Sequence, residues 1–226
     1  TIACPLAGTN GLSLPYGSVL FTRTNTYSGG TVIAGALGAT QARLGNNDTL
    51  GTGPITMQGG QICCHDATSR TLTNALTLAG DVEMGFSTWT YVGALTFTGP
   101  VQIQGGDRKV WIQSGSYGAN TVFSGTLSED AAGRGFTLTG GSGFGQLGAY
   151  GRMDLGGTVA YTGKTKVNGS TLRVLSGLNA TSGIEINKAA ASARATLELY
   201  NTQDTMIPLA TPIDLRGGCL RIAGGA

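Results

Sequence analysis

Apolar residues fall at every second position in short runs along most of the chain. "LTLAGDVEM" places Leu76 and Leu78, then Val82 and Met84, on one face, and "LTFTGPVQIQ" does the same with Leu95, Phe97, Val101 and Ile103. Phe136 and Leu138, Met153 and Leu155, Ile184 and Ile186, and Leu197 and Leu199 repeat the pattern. So do Leu172 and Val174, and the closing set Ile213, Leu215, Leu220 and Ile222. The positions between them carry Lys166, Arg173, Glu185, Glu198, Asp214, Arg216 and Arg221. Successive strand side chains point to opposite faces, so each run predicts a strand with one buried and one wetted side. Gly pairs follow many runs: Gly59–Gly60, Gly105–Gly106, Gly140–Gly141, Gly156–Gly157 and Gly217–Gly218. Such pairs supply the positive φ of tight turns. Asp107, Arg108 and Lys109 read as a hairpin-like turn. The one Ala-rich segment, Asn187 to Glu198, lies between two alternating runs and reads as a loop ending in a strand.

Many short strands allow a sandwich, a barrel or a solenoid. Repetition favours the solenoid. "YSGGTVIAG" (Tyr27 to Gly35) and "YTGKTKVNG" (Tyr161 to Gly169) share Tyr, Ser or Thr, Gly, Thr, Ile or Val, and Gly at the same spacing. Each is followed by a second phrase, "GPITMQGGQI" (Gly53 to Ile62) and "TPIDLRGGCLRI" (Thr211 to Ile222). The repeating unit therefore spans several turns of chain. At roughly 20–25 residues per turn the chain makes about ten turns, and with strands ~4.8 Å apart the axis runs ~50 Å.

Composition agrees. The 226 residues include 39 Gly, 40% are hydrophobic, and the charged share is 12%, about half the usual quarter. A formal net charge of +2 with scattered Lys and Arg excludes a nucleic-acid footprint. No apolar run reaches the roughly 18 residues of a membrane helix. The chain begins with Thr and shows no signal peptide, so it reads as processed or cut from a longer protein.

The two Tyr-Gly phrases with their Pro-Ile sequels resemble the autotransporter-associated β-strand repeat of bacterial surface passengers, over about Asn25 to Ile222. The link "LTNALTLAGDVEMG … LTFTGPVQIQGG" is similar to what lies between such repeats. The resemblance implies a right-handed parallel β-helix, an extracellular or cell-surface location, and structural motif residues with no catalytic role. It implies that Tyr27 and Tyr161 mark the turn, that Gly29 and Gly163 shape it, and that Val167 and Leu172 face the core; Gly35 and Gly169 close the phrase. Nothing in the chain resembles the membrane barrel that usually follows such passengers. Residues 1–24 are expected to form an N-terminal cap or first coil. Residues 25–226 are expected to form the helix, with repeats at about 25–62 and 159–222.

End coils of a solenoid present bare strand edges. "CLRIAGGA" reads as an ordinary core strand with no closing element, which predicts continuation by more chain or by another subunit. Four cysteines, Cys4, Cys63, Cys64 and Cys219, are an even count in a chain expected to be exported, which favours disulfides. Cys4 and Cys219 lie too far apart to pair within one chain, but stacked subunits could join them. Cys63 and Cys64 are adjacent on a strand, so one is expected in the core and one on the surface; a bond from Cys4 to one of them is the other pairing.

Sites of chemistry are sparse. His65 is the only histidine, and the successive residues Cys63 to Asp66 cannot converge on a metal. Glu129–Asp130 is the only close carboxylate pair, and it reads as a solvated loop rather than the cleft pair of a glycoside hydrolase. Gly45 to Asp48 contains calcium-type ligands but equally ordinary turn formers. Trp89, Tyr91 and Trp111 are candidates for stacking on sugars, against the plainer role of packing. The expectation is a non-enzymatic extracellular structural protein without cofactor or metal, self-associating head to tail into a fibre or surface layer. The alternative is an adhesin passenger fragment binding carbohydrate or a host surface. A polysaccharide-active enzyme ranks third.

Overall fold

The computed structural model describes residues 1–86, 93–112, 120–140, 151–187, 195–200 and 206–223. They form a parallel β-solenoid with no helix among them. The N-terminal circuits carry β1 (Leu12–Leu14), β2 (Ser18–Phe21), β3 (Thr31–Ile33) and β4 (Gln41–Leu44). The middle circuits carry three strands each: β5 (Ile55–Met57), β6 (Gln61–Cys64) and β7 (Arg70–Leu72); β8 (Leu76–Leu78), β9 (Val82–Phe86) and β10 (Leu95–Phe97). They continue with β11 (Val101–Ile103), β12 (Arg108–Ile112) and β13 (Asn120–Phe123), then β14 (Leu127–Glu129), β15 (Phe136–Gly140) and β16 (Arg152–Leu155). The C-terminal circuits return to two: β17 (Thr165–Asn168) and β18 (Thr171–Val174), β19 (Ile184–Asn187) and β20 (Thr196–Leu199), β21 (Ile213–Arg216) and β22 (Cys219–Ile222).

Three walls result. Sheet I has six strands (β1-β3-β5-β8-β11-β14), sheet II has nine (β2-β4-β6-β9-β12-β15-β17-β19-β21), and sheet III has seven (β7-β10-β13-β16-β18-β20-β22). Averaged over its walls the molecule makes about seven turns, not the expected ten. The estimate failed because turns are long: Phe136 stacks on Thr165 and Ile184 on Ile213, although Thr165 to Ile184 is a short step. Arg108 and Lys109 are also strand residues of β12 rather than a turn. Asp107 just before them accepts a hydrogen bond from the Gly135 amide at 2.7 Å.

Strict alternation puts like residues in vertical columns. Val82, Val110, Leu138, Val167, Ile186 and Leu215 follow one another in sheet II. Leu72, Phe97, Phe123, Leu155, Val174, Leu199 and Ile222 do so in sheet III. Phe97 and Phe123 meet edge to face at 5.5 Å, the geometry that aromatic quadrupoles favour. Apart from Leu215 and Ile222 in the last two strands, these columns form one continuous core, and Val167 and Leu172 are fully buried in it.

Among the described residues the wall without strands changes sides. In the N-terminal circuits it lies where sheet III later begins, and in the C-terminal circuits it lies beyond the end of sheet I. Both changeovers are covered. At the start of sheet III, the Asn47 side chain accepts the Thr71 amide at 2.9 Å. Arg70 reaches back to the carbonyls of Leu44 (3.3 Å) and Gly45 (3.0 Å) and pairs with Asp66 at 2.8 Å. At the end of sheet I, Val159 bridges to Leu127, with hydrogen bonds between Leu127 and the flanking Thr158 and Ala160.

The N-terminal strap lies along the first circuit. Ile2 bridges to Phe21 beside the outer edge of β2, and Thr26 and Ser28 donate to the carbonyls of Leu6 and Gly8.

Candidate functional site

The repeated phrase is a buried corner. Tyr27 and Tyr161 are 4% and 0% exposed. Each hydroxyl meets the Thr that opens the following strand: Thr31 Oγ1 at 2.5 Å and Thr165 Oγ1 at 2.6 Å. Thr31 donates in turn to the Leu50 carbonyl at 3.0 Å, so Tyr27 is the donor to Thr31. At the second corner Thr165 lies 3.0 Å from Thr181, which donates to the Gly163 carbonyl at 2.8 Å. A buried hydroxyl needs such partners. Burial raises both phenols above their ordinary pKa, partly offset by the Thr hydrogen bond. Gly29 and Gly163 sit against the previous circuit: a Cβ on Gly29 would overlap the Asn10–Gly11 backbone, and one on Gly163 that of Arg134–Gly135. Gly169 has φ +73° and Gly35 lies against the Thr40 side chain.

The two copies occupy different walls. Tyr27 leads into β3 on sheet I and then β4 on sheet II, whereas Tyr161 leads into β17 on sheet II and then β18 on sheet III. The Pro-Ile phrases shift in the same way: β5 and β6 lie on sheets I and II, β21 and β22 on sheets II and III.

The second Pro-Ile phrase is uncovered among the described residues. Ile55, Met57, Ile62 and Cys64 of the first phrase are fully buried beneath β8 and β9. Their sequence equivalents Ile213, Leu215 and Ile222 are 42%, 52% and 76% exposed, and Leu220 is half-buried. Among the described residues no strand pairs with the outer edges of β21 and β22. Leu209 beside them is fully exposed. Among the described residues these strands therefore leave an apolar row in water and a strand edge open to pairing.

The other candidate residues are absorbed by the scaffold. Glu129 accepts from the Arg134 amide (2.7 Å) and the Thr162 hydroxyl (2.6 Å), and Asp130 accepts from Gly105 (2.9 Å) and Arg134 (3.0 Å). The Gly105 amide and Arg134 hold Asp130 below the usual carboxylate range. Asn47 serves β7, and Asp48 takes a turn conformation at φ 52°. His65 Nδ1 lies 2.8 Å from Arg43. No group of three or more His, Cys, Asp or Glu residues placed to hold a metal occurs among the described residues. Trp111 is half-buried on sheet II with the Lys109 ammonium 4.8 Å from its ring, while Trp89 and Tyr91 lie outside the described residues.

No disulfide joins the cysteines. Cys4 and Cys219 are exposed, at opposite ends. Cys63 and Cys64 are both fully buried, which corrects the expectation of one surface residue. Cys64 belongs to the core; Cys63 points away from it but is covered, its Sγ 3.8 Å from the Ala42 carbonyl. Burial pushes the Cys64 thiol up to about 11.

Two features had weaker signals in the sequence. Asp154, 6% exposed at its side chain, is clamped between Arg152 (2.8 Å) and Arg173 (2.6 Å) on the outer face of sheet III. Arg70 opens the inward column continued by Leu95, Thr121, Met153 and Leu172. Neither is marked by a motif.

The described residues define a parallel β-solenoid. No family model, no curated protein and no solved structure matches the chain.

Proposed function

We propose that this chain is a non-enzymatic structural protein, an extracellular β-solenoid subunit that stacks end to end into a fibre or surface layer. One observation carries the reading: the apolar row of a circuit, as at Ile55, Met57, Ile62 and Cys64, is buried only by the circuit stacked on it, so the fold grows by stacking along its axis. Head-to-tail contacts between unlike ends need not close, so they propagate. The carboxylate pair Glu129–Asp130 supports the non-enzymatic reading, since backbone amides, Thr162 and Arg134 take up its oxygens. The right hand of the helix follows the general rule for parallel crossovers. The surface location rests on the resemblance of the two Tyr-Gly phrases to autotransporter-associated repeats. Trp111 is the described residue that favours the second reading, an adhesin face for carbohydrate.

Light scattering and electron microscopy of the purified chain test the assignment. Rods or large, concentration-dependent species are expected. A monodisperse 22.9 kDa particle at high concentration overturns it.

A further inference from the structure

We propose that Asn10 is a site of spontaneous covalent modification, closing onto the Gly11 backbone as a cyclic imide that water opens to aspartate or isoaspartate. The fold exposes this Asn–Gly pair and restrains the other, Asn168–Gly169.

The chemistry needs no group beyond the pair itself and water. The backbone nitrogen of the following residue attacks the Asn Cγ. The side-chain nitrogen leaves as ammonia, taking the proton of the attacking amide, and a cyclic imide remains. Water then adds to one of the two imide carbonyls, and the C–N bond at that carbonyl breaks. One water enters, one ammonia departs, and nothing is oxidised. Gly is the favourable follower because no Cβ blocks the approach and its backbone turns freely. Asn is accordingly among the thermolabile residue types.

The sequence holds two Asn–Gly pairs. Asn10 and Gly11 lie in the N-terminal strap and are both exposed. They sit between two anchors: the Gly8 carbonyl accepts from Ser28 at 2.9 Å, and the Leu12 amide donates to the Gly30 carbonyl at 2.9 Å. Among the described residues no hydrogen bond takes up the Asn10 side chain or the Gly11 amide. The nitrogen that attacks and the amide that leaves are therefore both open to water.

Asn168–Gly169 has the same atoms under restraint. Asn168 ends β17 and pairs with Thr139 on one side and Asn187 on the other. Its side-chain oxygen accepts from Asn187 Nδ2 at 2.9 Å. Gly169 is buried with φ +73°, its carbonyl lying where a Cβ on Gly140 would fall. Attack at this pair waits for a local opening of the stack.

The product changes the strap. The Asn10–Gly11 peptide rests on Gly29 so closely that a Cβ there would overlap it. Isoaspartate routes the main chain through the former side chain and lengthens it by a carbon between the two anchors. The strap then lifts, and the amides of Leu12, Thr26 and Ser28 lose their bonds to Gly30, Leu6 and Gly8.

The test ages the intact chain in mildly alkaline buffer made with heavy-oxygen water, then digests it and maps the label by mass spectrometry. Asn10 is expected to take up heavy oxygen about tenfold faster than Asn168, or more, because Asn168 reacts only from opened states. In urea the two pairs should react at comparable rates. Equal rates in the folded chain, or a preference for Asn10 that persists unchanged in urea, overturn the assignment. Asn10→Gln should abolish labelling at this position and leave Asn168 as it was. Hydrogen exchange at Leu12, Thr26 and Ser28 should quicken in the aged chain and not in aged Asn10→Gln. Unchanged exchange in a chain shown to carry isoaspartate overturns the lifting of the strap. Asn10→Asp adds the charge without the extra carbon and should keep these amides protected; equal loss there overturns the lengthening as its cause.

Discussion

The first repeat, Tyr27 to Cys64, and the second, Tyr161 to Ile222, are built from the same two phrases and meet opposite fates. Their opening corners are nearly the same object, a buried Tyr hydroxyl handed to a Thr four residues on, beside a Gly pressed against the previous circuit. Their closing strands differ entirely: the first pair is roofed by β8 and β9, the second by nothing described. A repeated sequence thus fixes local geometry, while burial depends on what comes next along the axis. In a quasi-one-dimensional fold stability is a sum of circuits and their interfaces, so a phrase is worth less at an end than in the middle.

The sharpest way to break this comparison is to place a charge at equivalent positions. Ile62→Asp buries an unpaired carboxylate beneath β9 and should cost about 4 kcal/mol or more, read by denaturant unfolding. Leu220→Asp should change subunit stability by less than about 1 kcal/mol, because water reaches that end, yet abolish association in light scattering. Equal losses in the two variants would mean that β21 and β22 are covered in solution.

The glycine pair comes next. Gly163→Ala drives a methyl group into the Arg134–Gly135 backbone, held inside the stack, and should cost about 3 kcal/mol by thermal unfolding. Gly29→Ala meets only the N-terminal strap at Asn10–Gly11, which can move outward, and should cost about 1 kcal/mol. The reverse order would show that the strap is the firmer neighbour.

The tyrosines come last. Tyr27→Phe and Tyr161→Phe each remove one hydrogen bond while the Thr keeps its other partner, a loss of about 1 kcal/mol apiece. Both folded phenols hold their protons above the ordinary value of 10.0. Their contribution is therefore complete below about pH 10, where the unfolded chain is also protonated, and is lost as pH rises further. The double Phe variant should flatten that alkaline limb in a stability-versus-pH series.

The parallel solenoid was legible because alternation, Gly pairs and a repeated phrase all agree. Leu76, Leu78, Val82 and Met84 are buried as their spacing requires. Turn number was not legible, because it depends on how much chain leaves the wall between strands, and spacing alone does not separate a loop from a circuit. Arg108 and Lys109 look like a turn because they are charged and follow a Gly pair; Lys109 lies on the wet face of β12, whereas Arg108 shares the parity of Val110 and Ile112 and turns its guanidinium to the carbonyls of Leu78 and Gln104. Cys63 shows the opposite limit: an outward side chain is covered by its surroundings, which alternation cannot express. The exposed tail could be anticipated from "CLRIAGGA", whereas the sideways step of the repeat from one pair of walls to the next required the topology.

That sideways step gives the molecule a screw sense of its own. Among the described residues the wall without strands starts on one side in the first circuits and finishes on another in the last, so viewing direction matters even for a single particle. Image classes sorted only by length would blend unlike profiles, and a label fixed near Thr24 would point away from one fixed near Asn179.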